Sequence, residues 1–150
     1  MGIFEDIKLE SQDHPSLTLA SPFNILWEYD RGPQEKLKGD VHYALQISIV
    51  MQGAAEVVFG DWSHVFQSGE LWWTMCWEPH AYRLLFSRNF VMSVNINIDN
   101  LGNCGPCSDA DWLAPFTVEP QYRYCPSTDA ERGEIALVSR KLLHAYNRKI

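Results

Sequence analysis

Between Phe23 and Asp99, short apolar–polar alternations are punctuated by turn residues at near-regular spacing. That pattern restricts the chain to a β-sandwich or barrel. The spacing predicts a strand over residues 24–29, closed by the turn Asp30-Arg31-Gly32-Pro33. Residues 41–50 alternate most cleanly. Val41, Tyr43, Leu45, Ile47 and Ile49 share one face, and His42, Ala44, Gln46, Ser48 and Val50 the other. Gly53 ends that run, and Gly60-Asp61 joins strands predicted over 55–59 and 63–66 as a hairpin. Further strands are predicted over 71–76, 81–86 and 89–99, which makes seven or eight short strands and no strong helix.

Beyond Asn100 the pattern changes. Residues 101–128 are rich in loop formers, including Cys104-Gly105-Pro106-Cys107, Pro115, Pro120 and Pro126. Ser127 or Thr128 then caps a helix with acidic Asp129 and Glu131 in its first turn. Ile135, Val138, Leu142 and Tyr146, flanked by Leu137 and Leu143, recur at helical spacing. The organisation read from this is an N-terminal arm (1–22), a β core (23–100), a loop-rich connection (101–128) and an amphipathic C-terminal helix (129–150).

Composition narrows the function. With 12 Lys and Arg against 19 Asp and Glu, the 150-residue chain carries a net charge of -7 and would repel a phosphate backbone. No run approaches the roughly 18 apolar residues of a membrane span, and the acidic start MGIFEDIKLE lacks the basic and apolar regions of a signal peptide. The expectation is a cytoplasmic protein that does not engage membranes, with its four Cys as reduced thiols. Cys104-Gly-Pro-Cys107 has the spacing of a redox tetrapeptide without the strand–helix context that activates one. A zinc site on Cys104, Cys107 and Cys125 would lack an evident fourth ligand unless His144 supplied it. Glu56, Glu70 and Glu78 read as solvated carboxylates, and His64 and His144 as surface residues.

Two stretches resemble the paired motifs of the cupin superfamily. Asp40, His42, Gln46 and Gly53 keep the frame of the first motif, with Asp for its first His and Gln for its Glu. Gly69 and His80 keep the frame of the second, while Met75 and Trp77 replace its Pro and second Gly, and Leu84 its terminal Asn. Gly69-Glu70-Leu71 through Trp77-Glu78-Pro79-His80-Ala81-Tyr82, with Trp112-Leu113-Ala114-Pro115, is further similar to the N-terminal sensor domain of AraC-family transcription regulators.

The resemblance implies a cupin-like jelly-roll β-barrel followed by a helix that pairs subunits into a homodimer. It also implies a small-molecule effector bound inside the barrel, and DNA contact only through a helix-turn-helix region absent from this chain, which reads as a truncated sensor domain or, as the alternative, one that stands alone. The expected effector is a saccharide, because aromatic planes pack on pyranose faces while Asn, Gln and His meet the hydroxyls. The residues expected to bind it are His42, Gln46, Ser48, Trp72, Trp77, His80, Tyr82 and Asn95. Adjacent Trp72 and Trp73 must point to opposite faces of their strand, so one aromatic enters the barrel. On this reading the chain is not an enzyme and needs no cofactor. The alternative is a metal-dependent cupin isomerase or dioxygenase that uses Asp40, His42 and His80 around a divalent ion.

Overall fold

The computed structural model describes residues 9–12, 17–18, 20–30, 32–99 and 111–148. Among them, nine strands are followed by two α-helices: β1 (Leu9–Gln12), β2 (Phe23–Asp30), β3 (Lys38–His42), β4 (Leu45–Gln52), β5 (Ala54–Phe59), β6 (Trp62–Gln67), β7 (Leu71–Thr74), β8 (His80–Leu84), β9 (Asn89–Ile96), α1 (Ala114–Thr117) and α2 (Asp129–Asn147). One sheet has the order β1-β3-β8-β5-β6 and the other β2-β9-β4-β7. The pairings among these strands are antiparallel except β1 with β3. The fold is the expected mainly β, cupin-like jelly roll with a C-terminal helix, although its two sheets do not close into a barrel.

The run at 41–50 is not one strand. It breaks at Tyr43–Ala44, so β3 joins the five-stranded sheet and β4 the four-stranded one. The alternation survives the break: His42, Ala44, Gln46, Ser48 and Val50 are all buried. Because the two halves lie in different sheets, His42 and Gln46 reach the interior from different sheets.

Two apolar clusters result. Val50, Val57, Phe59, Phe66, Trp72 and Leu84 form the main one, with residues from both sheets. On the other face of the four-stranded sheet, Ile25, Ile49, Leu71 and Met92 meet Ile135, Leu142, Leu143 and Tyr146 of α2. The helix stripe therefore differs from the expected one: Leu137 and Val138 are exposed, and Ser139 is the buried position between Ile135 and Leu142. Thr128 caps α2 in a reciprocal box, accepting from Glu131 N at 3.2 Å while its own N–H donates to Glu131 Oε2 at 3.2 Å. The turn before β7 requires glycine. Gly69 has φ +85°, and a Cβ there would stand 2.6 Å from Arg132 Cβ of α2.

Between β9 and α2 the chain returns across the sandwich. Phe116 of α1 is buried and meets Trp73 edge-on, with ring centroids 5.3 Å apart. The strap from Pro120 to Cys125 is held by Arg123. Its guanidinium forms a two-pronged pair with Glu78, 2.7 Å on each arm, and donates to Trp73 O at 2.7 Å and Val118 O at 2.9 Å. Glu78 is therefore not a solvated carboxylate, as its sequence neighbourhood suggested. Glu56 and Glu70 are likewise paired, with Arg83 and Arg132.

Candidate functional site

β3 and β8 pair so that Asp40 stands opposite His80. Asp40 and His42, two residues apart on β3, point to the same side. The three side chains meet in the interior, all buried, with one ligand atom of each within 4.8 Å of the others. The backbone fixes both rings. His42 Nδ1 lies 2.8 Å from Ala44 O and His80 Nδ1 lies 3.0 Å from Glu78 O. A carbonyl oxygen can only accept, so each Nδ1 carries the proton and, in a neutral imidazole, Nε2 keeps the lone pair. Those Nε2 atoms face Asp40 Oδ2 at 3.9 Å from His42 and 3.8 Å from His80. Asp40 Oδ1 accepts no hydrogen bond from any described residue.

Burial pushes the His80 imidazole below its ordinary value, and the neighbouring His42 adds to the shift, so the neutral ring is favoured. Tyr82 moves the other way. Its burial, and then its hydrogen bond to Glu28, push the phenol well above the usual range, so the hydroxyl stays protonated and donates to Glu28 Oε2.

The cluster opens on a cavity of about 200 Å³ bordered by Asp40, Gln46, Ser48, Trp72, His80 and Tyr82, with Leu26 and Trp27 among its other lining residues. Its wall on the four-stranded sheet is a chain of side-chain hydrogen bonds. Gln46 Nε2 donates to Asn95 Oδ1 at 2.8 Å, Asn95 Nδ2 donates to Asn24 Oδ1 at 2.9 Å, and Ser48 Oγ meets Ser93 Oγ at 2.8 Å. Trp72 is the inward member of the Trp pair, 4% exposed. Its indole N–H, like the Thr74 hydroxyl, is buried with no partner among the described residues.

The structure thus brings Gln46, Ser48, Trp72, His80 and Tyr82 to one cavity. His42 packs edge to face on His80, with centroids 5.2 Å apart, and Asn95 reaches the wall through Gln46. Trp77 stands apart from them. It is 56% exposed, lies against Tyr43, and adopts φ 56° in a bend where its N–H donates to His42 O at 2.7 Å. Glu28 and Lys38 also line the cavity; no motif marked Glu28, because its bond to Tyr82 spans 54 positions. Cys104 and Cys107 lie outside the described residues, and Cys125 is a half-buried free thiol in the strap.

Neither a protein-family model nor a curated protein sequence matches the chain. Among solved structures, oxalate decarboxylase from Bacillus subtilis is similar over 51% of this chain and 21% of its own, at 17% identity and a TM-score of 0.44. A second oxalate decarboxylase structure, concerned with substrate binding mode and a reaction specificity switch, matches to the same extent. An HTH_3 family transcriptional regulator from Vibrio cholerae is similar over 53% of this chain and 45% of its own, at 18% identity and a TM-score of 0.43. Matched stretches of this kind cover well under two thirds of either neighbour. Membership of the AraC family is not shown. The expectation that the chain is not an enzyme does not stand: the chain brings together a buried His–His–Asp donor set able to hold a metal ion. No described helix is long and apolar enough to cross a membrane.

Proposed function

We propose that this is a metal-dependent, small-molecule-binding cupin domain, with a divalent first-row ion held by Asp40, His42 and His80 at the wall of the interior cavity. One observation carries the reading. Two imidazoles with their Nδ1 protons committed to backbone carbonyls present Nε2 lone pairs to a buried carboxylate oxygen at 3.8–3.9 Å. Three acceptors facing one another in a low dielectric repel unless a metal ion or an added proton lies between them. Two His and one carboxylate are also the donor set of non-haem iron sites with open positions. Hydrogen bonds from Nδ1 to carbonyls, such as those to Ala44 and Glu78, orient the rings of metal-bound His.

A bound ion would supply Lewis acidity to a ligand in the cavity. The chain's own residues do the rest. Gln46 and Ser48 offer polar contacts, Trp72 offers an apolar plane, and the Tyr82–Glu28 pair closes one side. Titration with Co(II), followed by visible absorption, tests this reading. A saturable band at one ion per chain, lost in His42→Ala and His80→Ala, supports it. No band in a folded wild-type protein overturns it.

A second reading, an effector-binding domain of an AraC-type regulator that takes a saccharide, is favoured by the Asn24–Asn95–Gln46 hydrogen-bond chain beside Trp72. In that reading α2 would pair subunits into a homodimer, and DNA contact would fall to a helix-turn-helix region. A dry cavity of about 150 Å³ takes up benzene, so about 200 Å³ has room for at least one ring. A thermal shift with sugars that is indifferent to chelator would favour the sensor.

A further inference from the structure

We propose a second ligand site, separate from the metal cluster, that takes a neutral, flat, two-ring heteroaromatic compound. It lies at the other edge of the sandwich, where edge strand β6 and edge strand β7 meet the strap. The cavity there measures about 290 Å³.

Its character follows from β6. Trp62, His64 and Phe66 occupy alternate positions and so share one face of the strand. Phe66 is buried while His64 is exposed, so this aromatic ladder runs from the core out to the rim. Trp62 and His64 stack with planes only 4° apart and centroids 5.7 Å apart. Trp73 and Tyr124 form the opposite wall, pinned together by a 2.8 Å bond from Trp73 Nε1 to Tyr124 O.

Size, charge and polarity select the ligand. A dry cavity of about 150 Å³ takes up one benzene, so about 290 Å³ has room for two fused rings. The cation at the site, Arg123, is already neutralised by its two-pronged pair with Glu78, and its guanidinium lies 5.5 Å from the Phe59 ring centroid. An anionic ligand would find no free charge there, which favours an uncharged one. Trp72 also lines this cavity. It is 4% exposed, and its indole N–H has no described partner. A buried donor of that kind is costly to leave unmade, so a ligand with a ring nitrogen or carbonyl oxygen would satisfy it. Because the strap is bonded in place, the site exists before ligand arrives, and little ordering opposes binding.

Quinoline, uncharged near neutral pH and carrying one ring acceptor, is the probe. The ¹⁵N-labelled full chain is titrated and the indole and side-chain amide signals followed, with cyclohexanol as the non-planar control. We expect a saturable shift of the Trp72 indole N–H with a Kd below about 1 mM, an unmoved Gln46 side-chain amide, and no saturation by cyclohexanol. In Trp62→Ala, and in His64→Ala, which alters only an exposed side chain, affinity should fall by about tenfold and several-fold, respectively. The proposal is overturned by absence of saturation, by unchanged affinity in both variants, or by shifts centred on Gln46. Trp72 lines both cavities, so the Gln46 amide, which borders only the first, tells binding there from binding here.

Discussion

His42 and His80 come from different strands yet make matching commitments. Each gives its Nδ1 proton to a carbonyl two residues away, Ala44 O for one and Glu78 O for the other. Each turns its Nε2 toward the same Asp40 oxygen. The rings meet edge to face at 5.2 Å. Neither ring can rotate to relieve the crowding of acceptors without abandoning its hydrogen bond to a carbonyl, so the three groups are held in one fixed arrangement.

Glu78 links this site to the strap. Its carbonyl orients His80, and its carboxylate accepts both Met75 N and the Arg123 guanidinium. Removing Arg123 leaves a largely buried carboxylate without its cation. Arg123→Ala should cost about 3 kcal/mol in unfolding free energy, measured by urea denaturation. It should also weaken metal binding by about tenfold through the loosened His80. A surface-like loss of a few tenths of a kcal/mol would show that the clamp is ornamental to stability.

Gly69 sits where the left-handed turn meets α2. Gly69→Ala must accommodate both φ +85° and a Cβ 2.6 Å from Arg132 Cβ. The expected loss is about 2 kcal/mol, several degrees in Tm for a chain of this length. Gly133→Ala, where a Cβ meets nothing within 4 Å, should be neutral or stabilising in the same melt.

Acid should loosen the start of α2 before the rest. Hydrogen bonds from Ser127 N and Thr128 N hold the Glu131 carboxyl below its ordinary value. A depressed carboxylate contributes stability that is present above its unfolded pKa and is lost as pH falls through the folded value. Amide exchange in the first turn of α2 should therefore accelerate, relative to intrinsic rates, as pH drops below the usual carboxylate range. Glu131→Gln should flatten that dependence. Equal protection of the first turn at neutral and acid pH would refute the assignment.

Much of this was legible in the sequence because its signals are local. Period-two alternation and Gly-containing turns located the strands, the cap residues located α2, and the spacing of Asp40, His42, Gln46 and His80 marked the positions that converge. What escaped was long-range. Nothing between Val41 and Val50 interrupts the alternation, so the switch of sheets at Tyr43–Ala44 has no Gly or Pro to announce it. The Arg123–Glu78 clamp joins residues 45 positions apart, and the pairing of Tyr82 with Glu28 spans 54. Trp77 followed the motif frame into the expected site, but the left-handed bend it occupies turns its ring out against Tyr43. In α2 the heptad-like stripe pointed to Val138, whereas the sheet surface accepts Ser139 at that level.

On the proposed function, Asp40, His42 and His80 hold one metal ion. Elemental analysis of the purified full chain, after loading with a divalent first-row ion and exhaustive dialysis, tests it most directly. The account predicts about one equivalent bound in the wild type. It predicts near-complete loss in His42→Ala and His80→Ala, and strongly reduced retention in Asp40→Asn, with each variant still folded by circular dichroism. A folded wild-type chain that retains no ion, or variants that retain as much as the wild type, would contradict it.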